Sequence, residues 1–259
     1  MSGPQGDWAL KVGRNEGAAE VARETAVWSR IAGLVPATSY GKRTVHGRGE
    51  GSAWLATPWL RGKSLWEAFY PVRERTGVHV EALAAAVEAC MAVAAVHQAQ
   101  WVHGDLQPHH VILMPGGARL IDWSWGWSPE SDLPASNAYN GCFVHLASYE
   151  LIARAQSGQR PVLTSQPDEI WTLAASIWWA ATNQWPRDYR SLGIDPTAFT
   201  LIELRKVILR NRAPLGHIDH WPQLEQVLRA VLESPAEARP DALALAQYLR
   251  GITLVTAAR

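Results

Sequence analysis

Apolar and polar positions alternate over residues 8–12, Trp-Ala-Leu-Lys-Val, with the two-residue period of a half-buried strand. Val21, Val27 and Ile31 then recur at helical spacing, so a helix is expected over 17–31. Residues 40–45 and 52–57 read as two more strands, joined by the glycine-rich turn Gly47-Arg48-Gly49-Glu50-Gly51. Residues 60–63 read as a linker, and beyond it the period turns helical. Helices are expected at 65–70, 80–98, 169–181, 200–210, 222–232 and 241–249. Two short strands, 111–114 and 118–121, flank Pro115-Gly116-Gly117. The class is therefore α+β: a small β-rich part over 1–60, then a mainly helical part over 61–259.

Composition narrows what this fold can do. Hydrophobic residues are 47% of the 259, enough to drive a packed core. Lys plus Arg and Asp plus Glu are 24 each, so no net field draws the chain to nucleic acid or to an anionic membrane, and any phosphate must be held locally. Cys90 and Cys142 are too few for a disulfide framework or a cysteine-rich zinc site and suit a reducing compartment. The first eight residues lack the basic and apolar regions of a secretory signal. The apolar stretch 83–96 is interrupted by Glu88 and is shorter than a membrane span. These features predict a cytoplasmic protein with neither membrane nor nucleic-acid partners. Tryptophan is over-represented, fourteen against three phenylalanines, but indoles fill cores as readily as they stack on ligands, so the count assigns nothing.

The chemistry-bearing residues cluster. His103-Gly104-Asp105-Leu106-Gln107-Pro108-His109-His110 precedes the expected hairpin, and Ile121-Asp122-Trp123-Ser124 follows it, so two carboxylates seventeen positions apart come to the mouths of adjacent short strands. Phosphoryl transfer needs such a pair: one carboxylate takes the proton of the attacking hydroxyl and the other holds a divalent cation.

In these residues the chain resembles the protein kinase superfamily. His103-Gly104-Asp105-Leu106-Gln107-Pro108 is similar to the HRDLKP catalytic loop, in the HGDL form also found in aminoglycoside-phosphotransferase-like enzymes. Asp122-Trp123-Ser124 stands where DFG belongs, and Trp8-Ala9-Leu10-Lys11 resembles the VAIK strand. Arg23-Glu24-Thr25-Ala26 is similar to the helix whose Glu pairs with that Lys. Ser148-Tyr149-Glu150 stands for APE, Arg239-Pro240 for the late Arg that pairs with it, and Glu169-Ile170-Trp171-Thr172-Leu173 for the DxWSLG helix start.

The resemblance implies a bilobal protein-kinase-like fold with a truncated N-lobe, and a phosphotransferase using ATP with Mg²⁺ or Mn²⁺ on a Ser or Thr hydroxyl of a protein or peptide. Lys11 would hold the α- and β-phosphates, oriented by Glu24; Asp105 would be the general base and Asp122 the metal ligand. Thr57, Pro58 and Leu60 would form the hinge around the base, Gln107 would lie by the γ-phosphate, and His103 would brace the loop. Glu150 and Arg239 would form a structural clamp.

Departures from the family pattern qualify this. Ten residues precede Lys11, too few for a glycine-rich lid; Gly3 and Gly6 are not expected to build paired strands, so a partner chain or an upstream segment would have to complete the lobe. The edge of strand 8–12 would be open for such pairing. His110 replaces the Asn that holds a second metal and favours Mn²⁺ or Zn²⁺ over Mg²⁺. Gln107 replaces a Lys, Gly104 the Arg that grips a phosphorylated loop, and Ser124 the DFG glycine. Phosphorylation of Ser128, Ser131 or Ser136 is thus not expected to switch the chain. Two alternatives stand beside the active enzyme: a pseudokinase that binds partners through its cleft and the loop Trp123-Ser124-Trp125-Gly126-Trp127, and a small-molecule kinase of the aminoglycoside type, against which Glu150 and Arg239 count.

Overall fold

The computed structural model describes residues 2–3, 6–35, 44–76, 79–134, 143–158 and 160–252. The fold is mixed α+β. It opens with β1 (Ser2–Gly3) and β2 (Gly6–Arg14), followed by α1 (Glu16–Ile31), β3 (Val45–Gly49) and β4 (Ser52–Pro58). These strands make one antiparallel sheet in the order β1-β2-β4-β3, with Lys11 opposite Leu55 and Val45 opposite Ala56. Gly13 permits the tight passage from β2 into α1, since a Cβ there would lie 2.0 Å from the Gly17 carbonyl oxygen. α1 buries Val21, Val27 and Ile31, and the sheet buries Ala53 and Leu55 in the same core.

Three expectations change here. Gly3 and Gly6 do pair, in a two-residue ladder with Ser2 opposite Asp7, though β1 leaves the edge of β2 open from Trp8 onward among the described residues. The strand expected at 40–45 falls largely outside the described residues, and β3 starts at its last position. The turn is only Glu50-Gly51, with Gly51 at φ +62°. Gly47 and Gly49 belong to β3, because Gly47 faces Trp54 so closely that a Cβ would meet the indole at 2.7 Å.

The expected linker instead supplies β5 (Lys63–Ser64), which joins β6 (Val111–Met114) and β7 (Gly117–Leu120) in a second antiparallel sheet. The helix expected at 65–70 divides into α2 (Leu65–Ala68) and α3 (Tyr70–Arg73), since Pro71 has no N–H to continue the first. Then come α4 (His79–Gln98), α5 (Tyr149–Gln156), α6 (Gln166–Thr182), α7 (Leu201–Asn211), α8 (Pro222–Glu233) and α9 (Ala242–Arg250). α5 has no counterpart in the sequence reading, although Ser148 caps it by accepting the Leu151 N–H.

The centre of the helical part is α6, whose Ile170, Trp171, Leu173, Ala174, Ile177 and Trp178 are buried. The alanine face of α4 lets α9 pack closely. With twenty residues and a mean hydropathy of 1.6, α4 is long and apolar enough to cross a membrane, which the interrupted stretch 83–96 had not predicted; 56% of that window is buried within the fold. Cys90 lies on its buried face, where burial pushes the thiol pKa up and leaves it inert; Cys142 is outside the described residues.

Candidate active site

Strand β2 aims Lys11 toward α1, and the helical period brings Glu24 to meet it. Lys11 Nζ donates to Glu24 Oε2 at 2.7 Å and to Asp122 Oδ1 at 2.9 Å, a residue 111 positions away. Burial would depress the Lys11 pKa, but the two carboxylates outweigh it and hold the ammonium above its ordinary value. Asp122 sits at φ +64°, a conformation L-residues adopt rarely and one that marks functional turns. Two contacts hold it there: the buried Trp123 donates from Nε1 to the Leu120 carbonyl at 2.9 Å, and Ser124 Oγ donates to Asp122 Oδ1 at 3.1 Å. Burial would raise the Asp122 pKa, but Lys11 overrides it and keeps the carboxylate charged.

The loop before β6 is held from beneath. Glu169, buried on α6, accepts the N–H groups of His103 at 3.2 Å and Gly104 at 2.8 Å and bonds His97 Nε2 at 2.8 Å. His103 is buried as well: its Nε2 pairs with the Ile121 carbonyl at 2.9 Å and its Nδ1 accepts the Asp105 N–H at 3.2 Å, which defines a neutral tautomer. Burial lowers its pKa. His103 therefore braces the loop, as expected. Gly104 has a reason that the sequence concealed. It adopts φ +81°, and a Cβ would lie 2.7 Å from the Trp125 carbonyl oxygen.

This scaffold brings Asp105 beneath Asp122. Burial, and then the Asp122 charge, push the Asp105 pKa up to about 7, against a smaller opposing effect of a hydrogen bond from Gln107. Gln107 is thus engaged with Asp105. His110 lies between the acids. Its Nδ1 bonds the Asp105 carbonyl oxygen at 2.9 Å, so Nε2 carries the lone pair, 3.9 Å from Asp122 Oδ2. Burial drives its pKa down to about 4, so it is neutral at pH 7 and forms no ion pair with either acid. The adjacent His109 turns away and stacks on Trp66 at 5.1 Å, so the two histidines do not converge on one ion.

Beside Lys11 is a cavity of about 260 Å³. Ala9 and Leu55 from the first sheet, Ile112 from the second and Ile121 just after it give it apolar walls, and Thr57, Pro58, Leu60 and Asp122 line it as well. Trp123, Trp125 and Trp127 do not line it. Trp123 is fully buried, the other two are half-buried, and Trp127 donates to the Thr164 carbonyl at 2.8 Å.

Two further ties complete the site. Arg23 donates to the carbonyls of Ser124 at 3.0 Å, Gly126 at 3.0 Å and Pro134 at 2.6 Å, fastening the segment after Asp122 to the helix that carries Glu24. The sequence reading used Arg23 only as context for Glu24, since nothing local marks its carbonyl partners. Arg239 Nη2 bonds both Glu150 oxygens at 2.8 and 2.9 Å, the expected clamp, remote from the carboxylates. Ser128 Oγ accepts the Glu130 N–H and Ser131 Oγ the Leu133 N–H, while Ser136 is outside the described residues. No family model matches the chain and no curated protein matches it.

Proposed function

We propose that the chain is a bilobal, protein-kinase-like phosphotransferase that moves the γ-phosphoryl group of ATP to a Ser or Thr hydroxyl of a protein or peptide. The observation that carries this reading is the triple meeting of Lys11, Glu24 and Asp122 in the lining of an apolar cavity, with the half-buried Asp105 carboxyl, its pKa pushed up to about 7, close to Asp122. Lys11 is a positioned cation for phosphate oxygens, and the apolar walls accept a planar base. Asp105 takes the hydroxyl proton as that oxygen bonds to phosphorus and the bond to ADP breaks; a base poised near the working pH is suited to that task.

The donor set also suits a divalent cation. Asp122 Oδ2 and His110 Nε2, the ring nitrogen with the lone pair, lie 3.9 Å apart, and a mixed oxygen–nitrogen pair favours Mn²⁺ over Mg²⁺. Such an ion, when bound, would neutralise charge on the transferring phosphates. A second reading, a nucleotide-binding module without turnover, is favoured by one feature: Gln107, at the position where the resemblance implies a lysine, bonds Asp105 and brings no positive charge to it.

The test is γ-phosphoryl transfer to Ser/Thr peptide pools, with Mg²⁺ and with Mn²⁺, by the natural chain and by Asp105→Asn and Asp122→Asn. Transfer that is faster with Mn²⁺ and falls at least about 100-fold in each variant supports the enzyme. Nucleotide binding without transfer supports the module, and no nucleotide binding at millimolar concentration refutes both.

A further inference from the structure

A second cavity, of about 880 Å³, opens where the end of α3, the C-terminal end of α6 and the loop before α8 meet. A run of ring contacts, some stacked and some tilted, leads to it from the loop that carries Asp105. His109 stacks on Trp66 and lies 5.6 Å from Trp179; Trp179 lies 4.6 Å from Trp185, and Trp185 stacks on His145 at 4.5 Å. Trp179 and Trp185 are half-buried and form its apolar wall. One imidazole, His109, separates that wall from His110 and hence from the Asp105 backbone that His110 holds.

The charged lining is uneven. Arg73 is committed to structure: it donates to the Trp66 and Ala180 carbonyls and lies 3.9 Å over the Trp66 ring. Arg187 is buried and donates to the carbonyls of Val144, His145 and Ala147. Arg75 and Arg190 are different, being exposed in the lining with no ion-pair partner among the described residues. Of the two acids nearby, Asp188 already accepts the Ser191 N–H. Exposed cations beside half-buried indoles recognise an anionic chain that also carries an apolar side chain. The two lining acids and the zero net charge of the protein disfavour a polyphosphate track of the kind that nucleic acid requires.

We infer that this cavity docks an acidic segment of a polypeptide, with its carboxylates at Arg75 and Arg190 and an apolar side chain against Trp179 and Trp185. That the segment belongs to the phosphoryl acceptor rests on the kinase-like reading; the docking itself does not. A segment seated here lies one ring away from the loop that carries Asp105.

Isothermal titration of the full chain, free of nucleotide, tests this. The probe is the peptide acetyl-Glu-Asp-Leu-Asp-Glu-amide, with its Gln/Asn counterpart as the neutral control. The acidic peptide should bind about tenfold or more tightly than the control. It should lose about tenfold in affinity to the double variant Arg75→Glu/Arg190→Glu, whose exposed side chains leave the thermal midpoint unchanged. Equal binding by the double variant, equal binding of the neutral peptide, or tighter binding of an oligothymidylate would overturn the inference. Because the titration needs no turnover, an active enzyme that ignores the peptide refutes only the docking site. An inactive chain that binds the peptide refutes only the enzyme.

Discussion

Replacing Asp105 by Asn should remove phosphoryl transfer and also stabilise the fold, increasingly so as the pH rises. An unfolded aspartate ionises near pH 4, whereas in the fold burial and Asp122 keep this carboxyl protonated to about 7. Below about pH 4 the group is neutral in both states and contributes nothing to stability. Between about 4 and 7 the unfolded chain ionises while the folded one resists, so stability is lost as pH rises; above 7 the whole penalty stands. Roughly three pH units at about 1.4 kcal/mol each place its ceiling near 4 kcal/mol. Asn has the same shape, carries no charge and keeps an oxygen for Gln107. The gain should therefore grow from about 1.5 kcal/mol at pH 5 to about 4 kcal/mol at pH 8.5. At the upper pH that corresponds to a rise of about 8 °C or more in Tm for a chain of this size. Urea denaturation of the nucleotide-free protein at pH 5, 7 and 8.5, followed by tryptophan fluorescence, measures it. A gain independent of pH, or a loss at pH 8.5, would show that Asp105 is not held in its neutral form.

Three other outcomes are expected. Gly104→Ala places a Cβ against the Trp125 carbonyl oxygen at φ +81° and should lower stability by about 2–3 kcal/mol in urea denaturation; wild-type stability would mean that the loop yields there. His110→Asn substitutes an amide oxygen for the imidazole facing Asp122 and should move the ratio of Mn²⁺-supported to Mg²⁺-supported rates toward Mg²⁺; an unchanged ratio would remove His110 from the metal-binding set. The proposed base role requires an ionised Asp105, so kcat/KM should climb with pH through about 7, and a flat profile between pH 5.5 and 8.5 would contradict that role.

What the sequence disclosed follows from how locally each feature is encoded. Lys11, Glu24, Asp105 and Asp122 stand on strongly patterned or motif-bearing stretches, and the structure places all four together. Thr57, Pro58 and Leu60 likewise line one cavity, at the end of β4 and just beyond it. β3 was displaced in the reading because Gly47 and Gly49 blank out the alternation on which strand recognition depends. Other features were illegible because their partners are remote. Glu169 supports Gly104 across 65 positions and Arg23 reaches Ser124 across 101, and the need for glycine at 104 arises from Trp125, which no local pattern connects to it.

The charges of the site give one further step. Among the described residues Lys11 is the only cation paired with its carboxylates, and it already serves both Glu24 and Asp122. His110 is neutral at pH 7, and the Asp105 pKa is raised first by burial and then by the Asp122 charge, which Lys11 only partly offsets. Added positive charge within a few ångströms should therefore make Asp105 more acidic. Mn²⁺ titrated into the nucleotide-free protein at pH 6.5, in weak buffer, should release most of one proton per ion bound, and Asp105→Asn should release almost none. His110 cannot supply that proton, since at a pKa of about 4 it has none to lose. Binding without proton release, or equal release by the variant, would separate Asp105 from the cation site and leave its elevated pKa to burial alone.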